Sequence, residues 1–279
     1  MPELPEVETI VRQLRARGVE GRKILAVKVG WPRTVEPLSA ARFSREVCGC
    51  AVEHITRTGK WIHFHLSSGK VILIHLRMAG SFSMEQGSHD RIVLELSGGL
   101  TLHYRDTRKF GRWKLVDDPE EILGRLGPDA LTRRFSLKYF SEELRRRHRM
   151  IKPLILDQSV VAGLGNIYAD EALWEARIHP ERLSDALTAD EQTALYNAIK
   201  HVLRIGVRNR GTSLGDGKTN YRDVDGASGG HREKVKVYGR GGAPCERCDT
   251  PLQKTVVAQR GTTFCPECQR LPINKTGAS

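Results

Sequence analysis

Two pairs of cysteines near the carboxyl end constrain the fold more than any other feature of the 279-residue sequence. Cys245 and Cys248 form one C-x2-C pair, Cys265 and Cys268 form a second, and 16 residues separate the two pairs. This spacing is typical of a tetrahedral Zn²⁺ site. Because four thiolates leave no open coordination position, the predicted metal is structural. It would stabilise a β-hairpin that is too small to bury a hydrophobic core of its own.

The residues between the two cysteine pairs predict that hairpin. Residues 256–258 and 263–264 favour strands, and residues 259–262 form the predicted tip. The tip would hold Arg260 on a rigid support, where the guanidinium is either solvated or bound to a phosphate. Two disulfides are the alternative for the four cysteines, and a reducing compartment disfavours them.

The charge balance narrows the class of partner. The formal net charge is +12, and 28% of the residues are charged, which suits binding to a polyanion, most simply nucleic acid. Part of the excess is local, because residues 132–152 contain eight lysines or arginines and two acids. A basic surface that serves only solubility is the alternative. The sequence has neither an apolar run long enough for a membrane span nor a signal peptide, so we expect a cytoplasmic protein.

Strand and helix patterns occupy different parts of the chain, which predicts an α+β protein with several domains. One amphipathic helix comes first, and the pattern of a β-sandwich or barrel follows it. The predicted strands are 23–31, 60–66, 71–76, 92–96, 100–104 and 113–116. The predicted helices after residue 131 are 136–148, about 153–160, 167–176 and 188–206. The predicted domains are 1–131, 132–234 with a polar Gly-rich loop at about 211–234, and 235–270, followed by a tail at 271–279.

The start of the chain, MPELPEVETIV, combines an amphipathic helix with a potentially reactive group. Since Pro2 is small, we expect Met1 to be removed, which leaves a secondary amine at the terminus. An α-amino group titrates near pH 8, so about a tenth of it is a neutral nucleophile at pH 7. Attack on a sugar C1′ would give an iminium, and Glu3 is placed to move protons at that centre. The alternative is an ordinary helix start with a solvated tail.

Short segments elsewhere hold residues that could contact nucleic acid. Met78 in HLRMAG and Arg108 and Phe110 in DTRKFGR follow predicted strands, and together they could fill the gap left by an extruded base. Single apolar residues belong more often to the core. Asn166 follows the glycines of VAGLGN and could cap a helix whose N–H groups hold a phosphate, or simply cap a turn. Lys60, taken alone, is more typical of a surface lysine.

Considered together, these segments resemble the formamidopyrimidine-DNA glycosylase family, bacterial enzymes that remove 8-oxoguanine and ring-opened purines. The matching segments, which extend over nearly the whole chain, are MPELPEVET, TRTGKW, HLRMAGSF, DTRKFG, IKPLILDQ, VAGLGNIYADE, VYGRGGAPC and QRGTTFCPECQ. The resemblance implies an N-terminal β-sandwich with one helix, a helix–two-turns–helix domain and a zinc finger. It also implies damaged double-stranded DNA as the partner of a monomer that needs one structural Zn²⁺ and no nucleotide cofactor.

The resemblance assigns roles to the matched positions. Pro2 would form the iminium at C1′, and Glu3 would protonate the sugar oxygen and assist ring opening. Lys60 would contact phosphate and assist β-elimination, whereas Arg260 would grip the phosphates at the lesion and assist δ-elimination. The residues implied to contact DNA are His75, Met78, His89, Arg108, Phe110, Lys152, Asn166 and Tyr168.

Two other functions stay open at this point. Related endonuclease VIII enzymes act on oxidised pyrimidines, but they resemble one another in a Pro-Glu-Gly-Pro-Glu start, and this chain has Leu4 at the glycine position. A non-catalytic DNA-binding module with a zinc ribbon is the second alternative. One departure from the family pattern is His231, which stands where relatives usually have an aromatic residue in the loop that covers the flipped base.

Overall fold

The structure, a computed structural model, describes residues 1–214 and 221–271. These residues form two compact units. The first unit is Met1–Arg125 with Ile205–Glu233, and the second is Leu126–Arg204 with the chain from Lys234 onward. Residues 215–220 of the predicted polar loop and residues 272–279 of the predicted tail lie outside the described residues.

Eight strands build the first unit. They are β1 (Ile24–Val29), β2 (Val52–Thr58), β3 (Trp61–Leu66), β4 (Val71–His75), β5 (Gly80–Ser83), β6 (Asp90–Leu96), β7 (Leu100–Asp106) and β8 (Arg112–Val116). One antiparallel sheet has the order β1-β6-β7-β5 and the other has the order β2-β3-β4-β8. The predicted sandwich is therefore confirmed.

Aromatic side chains from both sheets fill the interior of this unit. Phe64 of β3 stacks on Phe82 of β5 with ring centroids 6.2 Å apart. Trp113 of β8 lies 5.3 Å from Tyr104 of β7. All four rings are at most 2% exposed. Alternation along each strand sends these residues to one face, and their large apolar areas hold the two sheets together.

Helices α1 (Leu4–Ala16), α2 (Ala40–Val47) and α3 (Glu120–Leu123) complete the N-terminal part of this unit. The apolar stripe of α1 that the sequence predicts is buried in the core from Val7 to Leu14. The sequence prediction missed β2, β5 and α2. Polar residues interrupt the alternation in VEHITRT of β2, β5 has only four residues, and α2 has only eight. Each pattern is too short or too mixed to stand out from a loop.

The second unit is helical and ends in the small hairpin. Its elements are α4 (Leu137–Arg145), α5 (Ile151–Leu156), α6 (Asn166–Glu175), α7 (Ala189–Arg208, in this unit up to Arg204), β9 (Gln253–Val257) and β10 (Arg260–Phe264). The capping box predicted before α7 is confirmed. Thr188 Oγ1 accepts the Glu191 N–H at 3.2 Å, and the Glu191 carboxylate accepts the Thr188 N–H at 2.8 Å.

Helix α5 differs from its prediction, because it starts and ends earlier than 153–160. Pro153 stands at its third position, where its missing N–H leaves no helical hydrogen bond unmade. The helix ends at Leu156. The carboxylate of the next residue, Asp157, accepts the N–H and the hydroxyl of Ser159 and so favours a turn. In the part of the chain that the structure describes, each helix is too short or too polar to pass through a membrane.

We expect Phe64→Ala to lower the free energy of unfolding by about 3–5 kcal/mol, because it leaves a cavity between the two sheets. Chemical denaturation of the two proteins measures this difference. Leu25→Ala is the matched control, since Leu25 lies on β1 but is 58% exposed. Its effect should stay within about 0.5 kcal/mol. Equal effects of the two substitutions would contradict the described packing.

Candidate active site and nucleic-acid interface

The chain start is fixed by a reciprocal capping box at the N-terminus of α1. Glu3 is the N-cap, and its carboxylate accepts the N–H of Glu6. In return, Glu6 Oε2 accepts the N–H of Glu3 at 2.7 Å. The two side chains are buried, and so is Pro2. The partial positive charge of the helix start therefore lies beside Pro2 and Glu3, as the sequence predicts.

Glu6 also ties the chain start to a distant segment of the same unit. Its second oxygen, Oε1, accepts the N–H of Thr212 at 2.7 Å. The neighbouring Gly211 has φ +79°, and a Cβ there would lie 2.8 Å from the Glu6 side chain. Only glycine fits this position without strain. The sequence suggested Glu6 merely as a favourable charge in the first helical turn, because its partner is 206 residues away.

The electrostatic environment favours a neutral amine at this site. Burial lowers the pKa of the α-amino group below its ordinary value; Glu3 and Glu6 raise it, and Lys60 and Arg108 lower it. This amine is that of Met1. The Pro2 amine, which removal of Met1 would expose, would lie one residue away at the same site. Lys60 is only 6% exposed, so the interpretation of Lys60 as a surface lysine is wrong. Gly59, with φ +58°, forms the turn that precedes Lys60 and β3.

The two histidines with predicted DNA contacts have different surroundings. His75 is 9% exposed, its Nδ1 accepts the Arg77 N–H at 3.0 Å, and its ring meets Trp61 edge-on. Burial, with Arg77 and Lys60, lowers the pKa of His75 to about 3, so the imidazole is neutral at physiological pH. His89 is exposed, and its Nδ1 lies 3.3 Å from the Arg91 guanidinium.

Two adjacent loops present the predicted void-filling residues. Met78 follows β4 and is 45% exposed, and Phe110 follows β7 and is 47% exposed. Arg108 is exposed too, with its guanidinium carbon 5.0 Å from the centroid of the Phe110 ring. The loops are neighbours because Gly80 of β5 pairs with Asp106 of β7. Because Met78 and Phe110 are exposed, they are not core residues. Large apolar side chains that are exposed on adjacent loops suit contact with bases.

Two described parts of the chain, 211–214 and 221–225, contact α1 in the first unit. Gln13 Oε1 accepts the N–H of Val224 at 3.0 Å, and Arg17 forms an ion pair with Asp225 at 2.5 Å. With Glu6, these residues form one polar stripe along the helix.

His231 lies two residues before the end of the first unit, and its side chain is buried. It is 3% exposed, its Nδ1 lies 3.3 Å from Asn209 Nδ2, and burial lowers its pKa to about 4. A neutral, buried imidazole is a packing group in this state.

The four cysteine sulfurs form a cluster that fits one Zn²⁺. All four Sγ atoms lie within 4.8 Å of one another. Cys245 and Cys268 are 4.0 Å apart, and Cys248 lies 3.5 Å from Cys265 and from Cys268. A tetrahedral ion with Zn–S bonds of about 2.3 Å requires sulfurs about 3.8 Å apart. The predicted structural zinc centre therefore agrees with the geometry.

The hairpin tip is shorter than the sequence prediction. Ala258 and Gln259 form a two-residue turn, and both have positive φ, 46° and 61°. Arg260 pairs with Val257 as the first residue of β10, and Thr262 is 3% exposed. The prediction of a four-residue tip at 259–262 is wrong, because a turn with two left-handed residues closes the hairpin tightly. Arg260 stays exposed next to that turn.

One face of α6 holds the zinc hairpin and the irregular segment 236–238 that precedes it. Asn166 Nδ2 donates to the Gly261 carbonyl at 2.9 Å, and Asp170 Oδ2 accepts the Thr263 N–H at 3.0 Å. The Glu171 carboxylate accepts three consecutive N–H groups, those of Lys236, Val237 and Tyr238. Trp174 Nε1 donates to Cys245 Sγ at 3.4 Å. The polar residues of α6 therefore serve as a dock for the finger.

Lys152 belongs to this dock, which corrects its prediction as a DNA contact. Its side chain is fully buried and forms an ion pair with Asp170 at 2.6 Å. The ammonium also donates to the Gly261 carbonyl at 3.0 Å and to Thr262 Oγ1 at 2.7 Å. Three acceptors match the three N–H donors of an ammonium. Burial raises the pKa of Asp170 to about 6, while Lys152 lowers it.

Two further predictions on α6 need correction. Gly165, rather than Asn166, is the N-cap, so the Asn166 side chain is available for the hairpin instead of the helix start. Tyr168 is 0% exposed, so its side chain cannot reach DNA in this structure. At this end of α6, a contact with DNA would have to come from the backbone N–H groups of the first turn.

Comparisons with known proteins agree with this arrangement. Residues 1–113 match the family model for the formamidopyrimidine-DNA glycosylase N-terminal domain, and residues 126–217 match the H2TH domain of the same enzyme. Residues 242–271 match a zinc finger found in FPG and IleRS. The chain belongs to the formamidopyrimidine-DNA glycosylase family. Its fold is confirmed as a β-sandwich, an H2TH region and a zinc finger.

Individual members of this family are similar over their whole length. The formamidopyrimidine-DNA glycosylase of Herpetosiphon aurantiacus is 44% identical over 277 residues, which cover 96% of this chain and 100% of the relative. The crystal structure of MutM (Fpg) from Thermus thermophilus has a TM-score of 0.88 and 41% identity, and covers 96% of this chain and 98% of that one. The Lactococcus lactis Fpg in complex with DNA containing an abasic site has a TM-score of 0.88 and 35% identity, with 96% and 100% covered.

We expect Lys152→Met to lower the free energy of unfolding by about 3–5 kcal/mol, because the Asp170 carboxylate would stay buried without its partner. Lys138→Met is the control, since Lys138 lies in the same unit but is exposed. Thermal or chemical denaturation measures both. A Lys152→Met protein with unchanged stability but a weaker salt dependence of DNA binding would restore the phosphate-contact interpretation.

Proposed function

We propose that this chain is a bifunctional DNA glycosylase and AP lyase that removes 8-oxoguanine and formamidopyrimidines from duplex DNA and then cleaves the strand. The observation that carries the proposal is the chain start. Pro2 and Glu3 are buried at a capped helix N-terminus, next to an amine whose pKa is lowered. Such a site combines a neutral nucleophile with a carboxyl group for proton transfer.

The reaction begins with attack by the Pro2 amine, exposed by removal of Met1, on C1′ of the damaged nucleotide. The new C–N bond forms as the glycosidic bond breaks, and the departing base takes up a proton from water. Glu3 accepts the proton that the amine nitrogen loses and transfers it to the ring oxygen O4′, so the deoxyribose ring opens and the nitrogen and C1′ become an iminium. A secondary amine is suited to this, because its iminium keeps a positive charge without a proton.

Strand cleavage follows from the same intermediate. The iminium withdraws electrons and acidifies the C2′ proton, so a base removes that proton and the 3′ phosphate leaves in β-elimination. A second elimination releases the 5′ phosphate. Lys60 supplies a buried cation beside the amine and a partner for phosphate. Arg260 supplies an exposed guanidinium on a support fixed by α6 and, when bound, zinc.

The substrate assignment rests on similarity to relatives whose structures hold damaged DNA. Two mutants of Lactococcus lactis Fpg, with TM-scores of 0.88 and 0.89, were crystallised with DNA containing Fapy-dG. Met78, Arg108 and Phe110 would enter the duplex where the lesion is extruded, and His75, His89 and Asn166 would contact its backbone. The protein acts as a cytoplasmic monomer without a nucleotide cofactor.

Oxidised pyrimidines are a second candidate substrate. The wild-type Lactococcus lactis Fpg, with a TM-score of 0.87 and 35% identity, was crystallised with DNA containing an oxidised pyrimidine. Leu4 and the exposed Met78, Arg108 and Phe110 favour the purine substrate. Competition between 8-oxoguanine and thymine glycol duplexes distinguishes the two, and we expect 8-oxoguanine to be cleaved first.

Sodium borohydride should trap a covalent complex between the protein and a duplex with 8-oxoguanine opposite cytosine, because it reduces the iminium. Pro2→Gly should lose most trapping and strand cleavage while keeping its zinc. Denaturing gel electrophoresis and zinc analysis measure these outcomes. Normal turnover by Pro2→Gly would defeat the proposed nucleophile, and DNA binding without any trapping by the unaltered protein would favour a non-catalytic binding module.

The pH dependence of trapping should report the pKa of the amine. Because only the neutral amine attacks, the rate rises with pH through that pKa, and a lowered pKa places the midpoint below about 8. Lys60→Met removes a charge that lowers the amine pKa, so its midpoint should move to higher pH. Lys60→Arg keeps the charge and should keep the midpoint near that of the unaltered protein. Identical midpoints in all three proteins would show that Lys60 does not tune the amine.

A further inference from the structure

One buried carboxylate accepts three backbone N–H groups of the loop that carries Arg108 and Phe110. Asp106, at the end of β7, is 1% exposed. Its Oδ1 accepts the N–H groups of Arg108 and Lys109 at 3.0 Å each, and its Oδ2 accepts the N–H of Gly111 at 2.6 Å. Three charge-assisted hydrogen bonds therefore define the path of five residues.

This path is not one that the loop would adopt by itself. Lys109 has φ +60°, the left-handed region that costs a non-glycine residue about 1 kcal/mol or more. The contact between Arg108 and Phe110 lies at the exposed surface, where a cation–π pair stabilises weakly. The position of both side chains therefore depends more on the backbone path of the loop than on their own contact. Asp106 accepts three N–H groups along that path, and Arg112 donates to the carbonyls of Lys109 and Gly111.

The same residue also fixes the loop of Met78 relative to that of Phe110. Asp106 pairs across the sheet with Gly80, the first residue after the Met78 loop. The hydroxyl of Tyr104 lies beneath both loops, since a Cβ on Gly80 would lie 2.5 Å from it and a Cβ on Gly111 would overlap it. The two loops therefore rest on one rigid base made of Tyr104 and Asp106.

We propose that Asp106 is a positioning residue that sets the selectivity of base excision for the base opposite the lesion. The inference rests on the proposed function, in which Arg108 and Phe110 occupy the duplex at that base. Asp106 itself touches no DNA, because it is buried and its oxygens are directed to the loop. It acts by fixing where the Arg108 guanidinium and the Phe110 ring stand.

A carboxylate is required for this arrangement, and an amide cannot replace it. Asp106→Asn provides one acceptor oxygen and one amide nitrogen that only donates. Whichever way the amide turns, at least one backbone N–H faces another donor. The loop would then leave its described path, while the sandwich beneath it keeps its apolar core.

The test compares Asp106→Asn with Asp117→Asn, which makes the same charge change at an exposed site of the same unit. Single-turnover excision of 8-oxoguanine is measured opposite each of the four bases. We expect Asp106→Asn to lose about ten- to hundredfold in rate opposite cytosine, and to lose most of its preference for cytosine over adenine. Asp117→Asn should match the unaltered protein.

Cleavage of an abasic site in single-stranded DNA separates positioning from general damage. This substrate has no opposite base, so Asp106→Asn should cleave it within about threefold of the unaltered protein, which matches a change confined to the loop. In the Arg108→Ala background, Asp106→Asn should add little further loss, because both changes remove the same contact.

Three outcomes would overturn the proposal. They are unchanged selectivity in Asp106→Asn, an equal loss on the single-stranded abasic site, and fully additive effects with Arg108→Ala. Failure of the proposed function itself would look different, since the unaltered protein would then excise no 8-oxoguanine and trap no intermediate.

Discussion

Buried carboxylates that accept backbone N–H groups are the interaction on which the functional parts of this protein depend. Glu6 holds the chain start and Thr212, and Asp106 holds the loop of Arg108 and Phe110. Glu171 holds the irregular segment that precedes the zinc finger. A buried charge is costly unless it is fully hydrogen-bonded, and each of these carboxylates accepts two or three N–H groups. Because losing one of these hydrogen bonds would leave a buried charge unsatisfied, each carboxylate favours one backbone path for its segment.

The acids and the arginines of the functional loops differ in burial. The carboxylates that organise the loops face inward, whereas Arg108 and Arg260 are exposed. The chain start is different, because its acids, Lys60 and the amine are buried together, and burial favours the neutral, nucleophilic form.

The corrections to Lys60, Lys152 and Tyr168 have one common cause, which is burial by packing that the sequence pattern does not show. Lys152 matches a family segment and carries a charge, yet its ammonium is enclosed by Asp170 and by residues of β10 more than a hundred positions further on. Tyr168 and His231 also face the interior. Charge and spacing indicate which residues can bind DNA, but they do not show whether a neighbouring element has already bound them.

The sequence by itself determined the elements that depend on interactions between residues close together in the chain. The C-x2-C spacing predicted the zinc cluster, and alternation predicted six of the eight sandwich strands. The Thr188–Glu191 pair predicted a helix start. The family segments predicted the site residues, but the roles of these residues stay proposals, and so do the domain boundaries at 131 and 234. Only the tertiary structure decided that Lys60 is buried, that Glu6 joins two distant segments, that the hairpin turn has two residues, and that Asp106 anchors the Phe110 loop. The physical reason is that periodicity and capping act over a few residues, whereas burial and hydrogen-bond partners exist only once distant segments are packed together.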